Sequence, residues 1–230
     1  LSQLLRAPID SLRAKAIQSL IRVGDDRMYP FILRLAESPD SIDRLYALEA
    51  LSYLYDKRFL SVLTGLLKDE NKSVRIYALD CLSRNNLREL LPSVRDMALN
   101  DANQETRIKA IDVIGELCDE KSLYVLLRTL TDPDRNIRLS TVRALYRIRQ
   151  TSSAQALAAQ LFEETDREIR DGILDLLIVL RRGGDLRGLQ KVLYSDAEES
   201  LRGKAAYILG IIREERSISI LAGGLGDESM

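Results

Sequence analysis

Two sets of side chains in this sequence have the types and the spacing to do chemistry. The first is a series of arginines, Arg13, Arg44, Arg75, Arg107, Arg138, Arg170 and Arg202, separated by 31, 31, 32, 31, 32 and 32 residues. Beside it runs an acidic series, Asp69, Asp101, Asp132, Glu164, Asp196 and Asp227, each six residues ahead of an arginine where that arginine is present. Guanidinium and carboxylate groups that recur together form forked ion pairs. A ligand site needs such a pair once. Its recurrence in every repeat points to a structural ladder, in which the acids accept hydrogen bonds at helix starts and pair with an arginine of the stack.

The second set varies along the chain. Tyr124, Arg128, Gln155, Phe162, Arg187, Lys191 and Tyr194 interleave cations with aromatics, and the small Ala159 leaves room beside Phe162. Aromatics and arginine are the usual anchors of protein interfaces. Arg143 and Arg147 form a candidate anion patch, because with Arg135, Arg138 and Arg149 they make five arginines with no acid between the first and the last. Some of these must pair with neighbouring acids. At the outer positions Val179 and Ile211 are apolar where polar residues are expected, as if covered by another segment or subunit.

Other chemistry is poorly supplied. The 230 residues contain no histidine, which removes the commonest general base and the commonest metal ligand. No Ser-His-Asp or Cys-His arrangement can be built, no metal site is indicated, and no catalytic residue is assigned. Acid pairs such as Asp25-Asp26 and Glu198-Glu199 read as solvated loop charge. Gly223-Gly224 sits in a helical pattern and Gly183-Gly184 reads as a hairpin turn, so neither is a phosphate loop. Cys81 and Cys118 are far apart and read as half-buried fillers in a reducing compartment. The net charge is −1, which gives no global field for nucleic acid or an anionic membrane. No run of apolar residues is long enough for a membrane span.

The elements that position these residues follow from the same period. Three, four and seven places after the arginines come apolar or small residues, for example Ala78, Leu79 and Leu82 after Arg75. That spacing is one face of an α-helix. Nineteen and 23 places after come a second pair, such as Leu126 and Leu130 after Arg107. A short polar break separates the two stripes, so each unit is a helical hairpin, and one hairpin must stack on its neighbours to bury both stripes. The small residue three places on lets adjacent helices approach closely. Places 14, 17, 21 and 24 lie on the side of the second helix opposite its buried stripe, and the cation–aromatic set occupies these places. Arg84-Asn85-Asn86 interrupts the third unit, so its first helix is expected to stop a turn early, with a bend in the stack.

The arginine followed by alanine and leucine in hairpins of 31–32 residues resembles the HEAT family, most of all its bacterial phycobilisome-lyase-type HEAT-like repeats. The resemblance implies an all-α solenoid of about seven HEAT-like hairpins with a right-handed superhelical stack and a concave face lined by the second helices. It gives one solenoid over residues 1–230, with repeats at about 10–39, 40–69, 70–100, 101–132, 133–163, 164–195 and 196–226. The sequence starts and stops within the repeat pattern, so the expectation is a fragment incomplete at both ends. Family membership does not fix function. The leading expectation is a non-enzymatic, cytoplasmic protein-interaction scaffold without a cofactor, binding a peptide segment or an adjacent domain of its own polypeptide. An accessory subunit of an enzyme system, such as a bilin-lyase-type partner, is the alternative. A nucleic-acid-binding solenoid is a third, disfavoured by the neutral charge total.

Overall fold

The computed structural model describes residues 19, 29–53, 57–212 and 214–225. Arg13 and Asp227 lie outside these residues, as do both chain ends. The described backbone is entirely helices and turns, without a strand. Helix α1 (Tyr29–Ala36) is the second helix of the first hairpin. The hairpins that follow pair α2 (Ser41–Tyr53) with α3 (Leu60–Leu66), α4 (Lys72–Arg84) with α5 (Leu91–Asn100), and α6 (Gln104–Glu116) with α7 (Leu123–Thr129). Then come α8 (Arg135–Ile148) with α9 (Ala154–Glu163), α10 (Arg167–Leu180) with α11 (Leu186–Ser195), and α12 (Glu199–Ile212) with α13 (Glu215–Leu225).

Side-chain caps start the first helices. Asn71 accepts from the Ser73 N–H, Asp134 from Asn136 and Ile137, and Asp166 from Ile169. Each satisfies helix donors that have no partner within the helix. The ends are equally regular. Eleven places after the arginine stands a left-handed residue: Asn86 (φ 51°), Cys118 (φ 47°), Arg149 (φ 56°) and Arg181 (φ 51°). In three of these turns the next N–H reaches back five residues, Leu87 to Leu82, Asp119 to Ile114 and Arg182 to Leu177, at 3.0–3.3 Å. This is the Schellman closure, usually built on glycine. An L-residue pays roughly 1–2 kcal/mol for the left-handed conformation, part of which glycine would return through the entropy of its unfolded chain. Arg181→Gly is therefore expected to raise stability by about 0.5–1 kcal/mol. A urea titration reads this as a higher midpoint.

The third hairpin departs from expectation. Helix α4 has 13 residues, as α2 and α6 do, and does not stop early. Asn85 stands where the other units carry an apolar residue. Its amide donates to the Cys81 carbonyl at 2.9 Å and to Leu51 of the preceding hairpin at 3.3 Å, so hydrogen bonds replace apolar packing there.

The chain divides into two compact units, Leu1–Val113 and Ile114–Met230. In the first, α2 packs on α4, and Ala47, Leu48, Leu51, Leu67, Ala78, Leu79 and Leu82 are buried. In the second, α8 packs on α10 and α10 on α12, while α9 packs on α11. Its core includes Leu126, Leu130, Leu145, Leu157, Ile173, Leu174, Leu177 and Leu189. The α9–α11 contact is close because of Gly188, where an added Cβ would meet the Ala158 carbonyl oxygen at 2.4 Å. Gly184 precedes α11 in the left-handed conformation (φ 55°), and an added Cβ there would lie 2.4 Å from the Ala154 carbonyl oxygen.

Candidate partner-binding face

The arginine and acid series meet as a ladder. Arg44 Nη2 donates to Asp69 at 2.9 Å. Arg75 grips Asp101 with Nε at 2.7 Å and Nη2 at 2.8 Å. Arg138 grips Glu164 at 2.8 and 3.0 Å, and Arg170 Nε lies 2.9 Å from Asp196. Each acid also accepts a main-chain N–H two residues on, as Asp101 does from Asn103 at 2.8 Å and Asp132 from Asp134 at 2.8 Å. Its main-chain carbonyl takes the next arginine: Arg75 on Asp69 (2.8 Å), Arg107 on Asp101 (2.9 Å), Arg138 on Asp132 (3.0 Å) and Arg202 on Asp196 (2.8 Å). Arg170 shifts by one residue, to the Thr165 carbonyl at 2.7 Å.

Glu164 is the most enclosed of these acids, with 1% of its side chain exposed. Burial pushes its carboxyl up. The Arg138 guanidinium, the Asp166 N–H and the Gln160 amide more than reverse this, so it is held below the usual glutamate range. The partner hydrogen bond raises Arg138 in turn. The oxygens of these carboxylates are engaged inside the fold.

The cation–aromatic set falls on three second helices of the second unit: Tyr124 and Arg128 on α7, Gln155 and Phe162 on α9, and Arg187, Lys191 and Tyr194 on α11. Three of its members are engaged internally. Lys191 lies over the Phe162 ring, 4.6 Å from its centroid, and its ammonium donates to the Phe162 carbonyl. Arg187 Nε donates to Asp185 at 2.7 Å, which holds that carboxyl below the usual aspartate range. The Tyr194 hydroxyl donates to the Ile220 carbonyl on α13. The α7 pair is more open. Tyr124 is 59% exposed, and Arg128, one turn further on, is exposed and has no ion pair among the described residues. Gln155 is also exposed.

The arginine-rich helix α8 is largely neutralised. Arg135 contacts Asp166 at 2.6 Å and Glu168 at 2.7 Å, and Arg143 contacts Glu168 at 2.9 Å. Arg149 lies over the Tyr146 ring at 5.4 Å. Of the candidate anion pair, Arg143 is thus already matched to an acid, and Arg147 stands without an ion pair among the described residues. Val179 and Ile211 line a shallow depression of 730 Å³ with Ile178 and Tyr207, on the first-helix side. Cys81 is buried, and burial pushes its thiol up to about 12, whereas Cys118 is exposed at a hairpin turn. Among the described residues no cluster of acids and cysteines could hold a metal, and no helix is long and apolar enough to cross a membrane.

Sequence reasoning missed a cleft of 540 Å³ between α2 and α4, lined by Tyr46, Tyr53 and Tyr77 with Glu49, Asp80 and Arg84. Its signal lay two places after the arginines, where Tyr46 and Tyr77 occupy the place of Lys109 and Lys204.

A model of HEAT repeats matches residues 1–83, 30–102 and 91–178, together the greater part of the chain. The chain belongs to the HEAT-repeat family. No curated protein sequence matches it. Among solved structures, this HEAT-repeat chain is similar to YibA of Escherichia coli (TM-score 0.65, 14% identity, covering 97% of this chain and 84% of that one). It is also similar to a designed armadillo repeat protein in complex with the peptide (KR)4 (TM-score 0.57, 18% identity, 80% and 99%). A third is the complex of CpcE and CpcF of phycocyanin lyase from Nostoc sp. PCC7120 (TM-score 0.50, 16% identity, 96% and 92%). At such identities the likeness is one of fold: an all-helical repeat solenoid.

Proposed function

We propose that this HEAT-repeat chain is a non-enzymatic interaction scaffold. It holds an acidic segment, from another protein or from an adjacent part of its own polypeptide, along the second-helix face of its fourth to sixth hairpins. The observation that carries this reading is the Tyr124–Arg128 pair on α7: an exposed ring and, one turn away, a guanidinium with no internal acid. An arginine without a partner can grip a carboxylate with two parallel hydrogen bonds, and the ring supplies area at low entropic cost. Gln155 on α9 offers an amide for the main chain of the segment. The Lys191–Phe162 pair offers a second cation already held in place. The unpaired Cys81 and Cys118 suit a reducing, cytoplasmic setting.

The test is a fluorescently labelled (Asp-Gly)4 peptide titrated with the full chain, followed by anisotropy. Arg128→Glu with Lys191→Glu is expected to weaken binding by at least roughly tenfold, since each reversal replaces an attraction by a repulsion and about 1.4 kcal/mol is a factor of ten. Arg128→Glu alone breaks no internal ion pair, and it should melt as the parent does. Unchanged affinity in both variants would sink the proposal.

A further inference from the structure

The α2–α4 cleft lacks a charge pairing that is present at two other junctions of first helices, α4–α6 and α10–α12. Two places after the repeat arginine, Lys109 on α6 puts its ammonium on Asp80, the acid five places after the arginine of the preceding hairpin. Lys204 on α12 does the same with Asp175 at 2.6 Å and adds Asp171 at 2.6 Å. Each lysine thus neutralises the acid of the hairpin before it. At the α2–α4 junction that acid is Glu49, and the residue in the lysine's place is Tyr77. Glu49 has no ion pair among the described residues, and the space is a cleft with Tyr53 (56% exposed) and Tyr77 (55% exposed) on its walls.

We infer that the α2–α4 cleft is a second binding site, which seats one lysine or arginine side chain of a partner protein with its cation on Glu49. Aromatic faces attract cations and a carboxylate neutralises them, so the walls and the acid select the same group. Ile42 and Leu45 on α2 provide apolar surface for the alkyl stem. The capacity is a single charge. Asp80 is already matched by Lys109, and Arg84, which also lines the cleft, repels a second cation. This site lies on first helices of the first unit and does not depend on the function proposed for the second-helix face.

The probe is a short glycine–serine peptide with one central lysine, added to full chain carrying 13C-labelled tyrosine. Saturable shifts of the Tyr53 and Tyr77 ring resonances are expected. Binding read at Tyr53 should weaken at least tenfold when the peptide lysine is Nε-acetylated, and equally in Glu49→Gln. Tyr77→Lys supplies the internal cation found at the α4–α6 and α10–α12 junctions, so it should melt no lower than the parent while losing the peptide. Three results would each overturn the inference: no saturable shift at Tyr53 in the parent, equal binding of the acetylated peptide, or full binding by Tyr77→Lys. Shifts confined to Tyr124 would likewise overturn it, by placing the lysine on α7 and not in the cleft.

Discussion

Glu164→Ala is expected to destabilise the second unit by about 3–5 kcal/mol, the range for removing one partner of a buried ion pair. The size follows from what is stranded. Arg138 loses its fork, and the main-chain N–H groups of Thr165 and Asp166 and the Gln160 amide lose their acceptor. The Arg138 cation then stays largely enclosed without an anion. A urea titration followed by circular dichroism measures the loss. The effect also has a pH signature. A carboxyl whose folded pKa lies below its unfolded value of 4.5 stabilises the fold above that value. The contribution fades as pH falls through the lowered folded pKa. Asp166 and Glu168, both held low chiefly by Arg135, act in the same direction. The parent should therefore weaken in acid below about pH 4.5, and Glu164→Gln should weaken less steeply there. Equal slopes would assign the acid limit to other groups.

Gly188→Val is expected to cost about 3 kcal/mol, at the upper end for overpacking. A Cβ at this position would meet the Ala158 carbonyl oxygen at 2.4 Å and the Phe162 nitrogen at 3.2 Å. Both are main-chain atoms, so no side chain can rotate away. Helices α9 and α11 must separate, and Lys191 then loses its seat over Phe162. Two readouts are available, the melting temperature and the affinity for the acidic peptide. Both should fall. Gly203 has nothing within 4 Å of its added Cβ, so Gly203→Ala serves as the silent control.

The hairpins were legible because their signals are periodic and redundant. The third, fourth and seventh places after Arg75, Arg138 and Arg170 are all buried, and the small Ala47, Ala78, Ala110 and Ala205 lie wholly inside. The closing residue of each first helix was not legible. Asn86, Cys118, Arg149 and Arg181 share a backbone conformation but no chemistry, and without glycine the left-handed position has no compositional mark. The third unit was misread for a related reason. Asn85 looked like a helix breaker, yet its amide satisfies the Cys81 carbonyl and bridges to Leu51. Helical register assigned the face of Tyr124, Arg128 and Gln155, but register says nothing of pairing. That Arg187 is held by Asp185, Lys191 by Phe162 and Tyr194 by Ile220 depends on contacts within and between neighbouring helices. The α2–α4 cleft stayed hidden because its column does not repeat: two places after the arginines stand Lys15, Tyr46, Tyr77, Lys109, Ser140, Gly172 and Lys204.

The acid ladder has a consequence for how such a chain can change length. Asp69, Asp101 and Asp196 each give a carboxylate to the arginine of their own hairpin and a main-chain carbonyl to the arginine of the next, as Asp101 does for Arg75 and Arg107. Every junction of this kind presents the same two sockets. A duplicated or deleted block of 31 or 32 residues therefore rejoins acid to arginine with no bond left open. A block of any other size leaves a guanidinium facing the wrong residue. Gain and loss of genetic material are thus tolerated in whole hairpins, and the surface residues carried by a copied hairpin become free to diverge while its framework is kept.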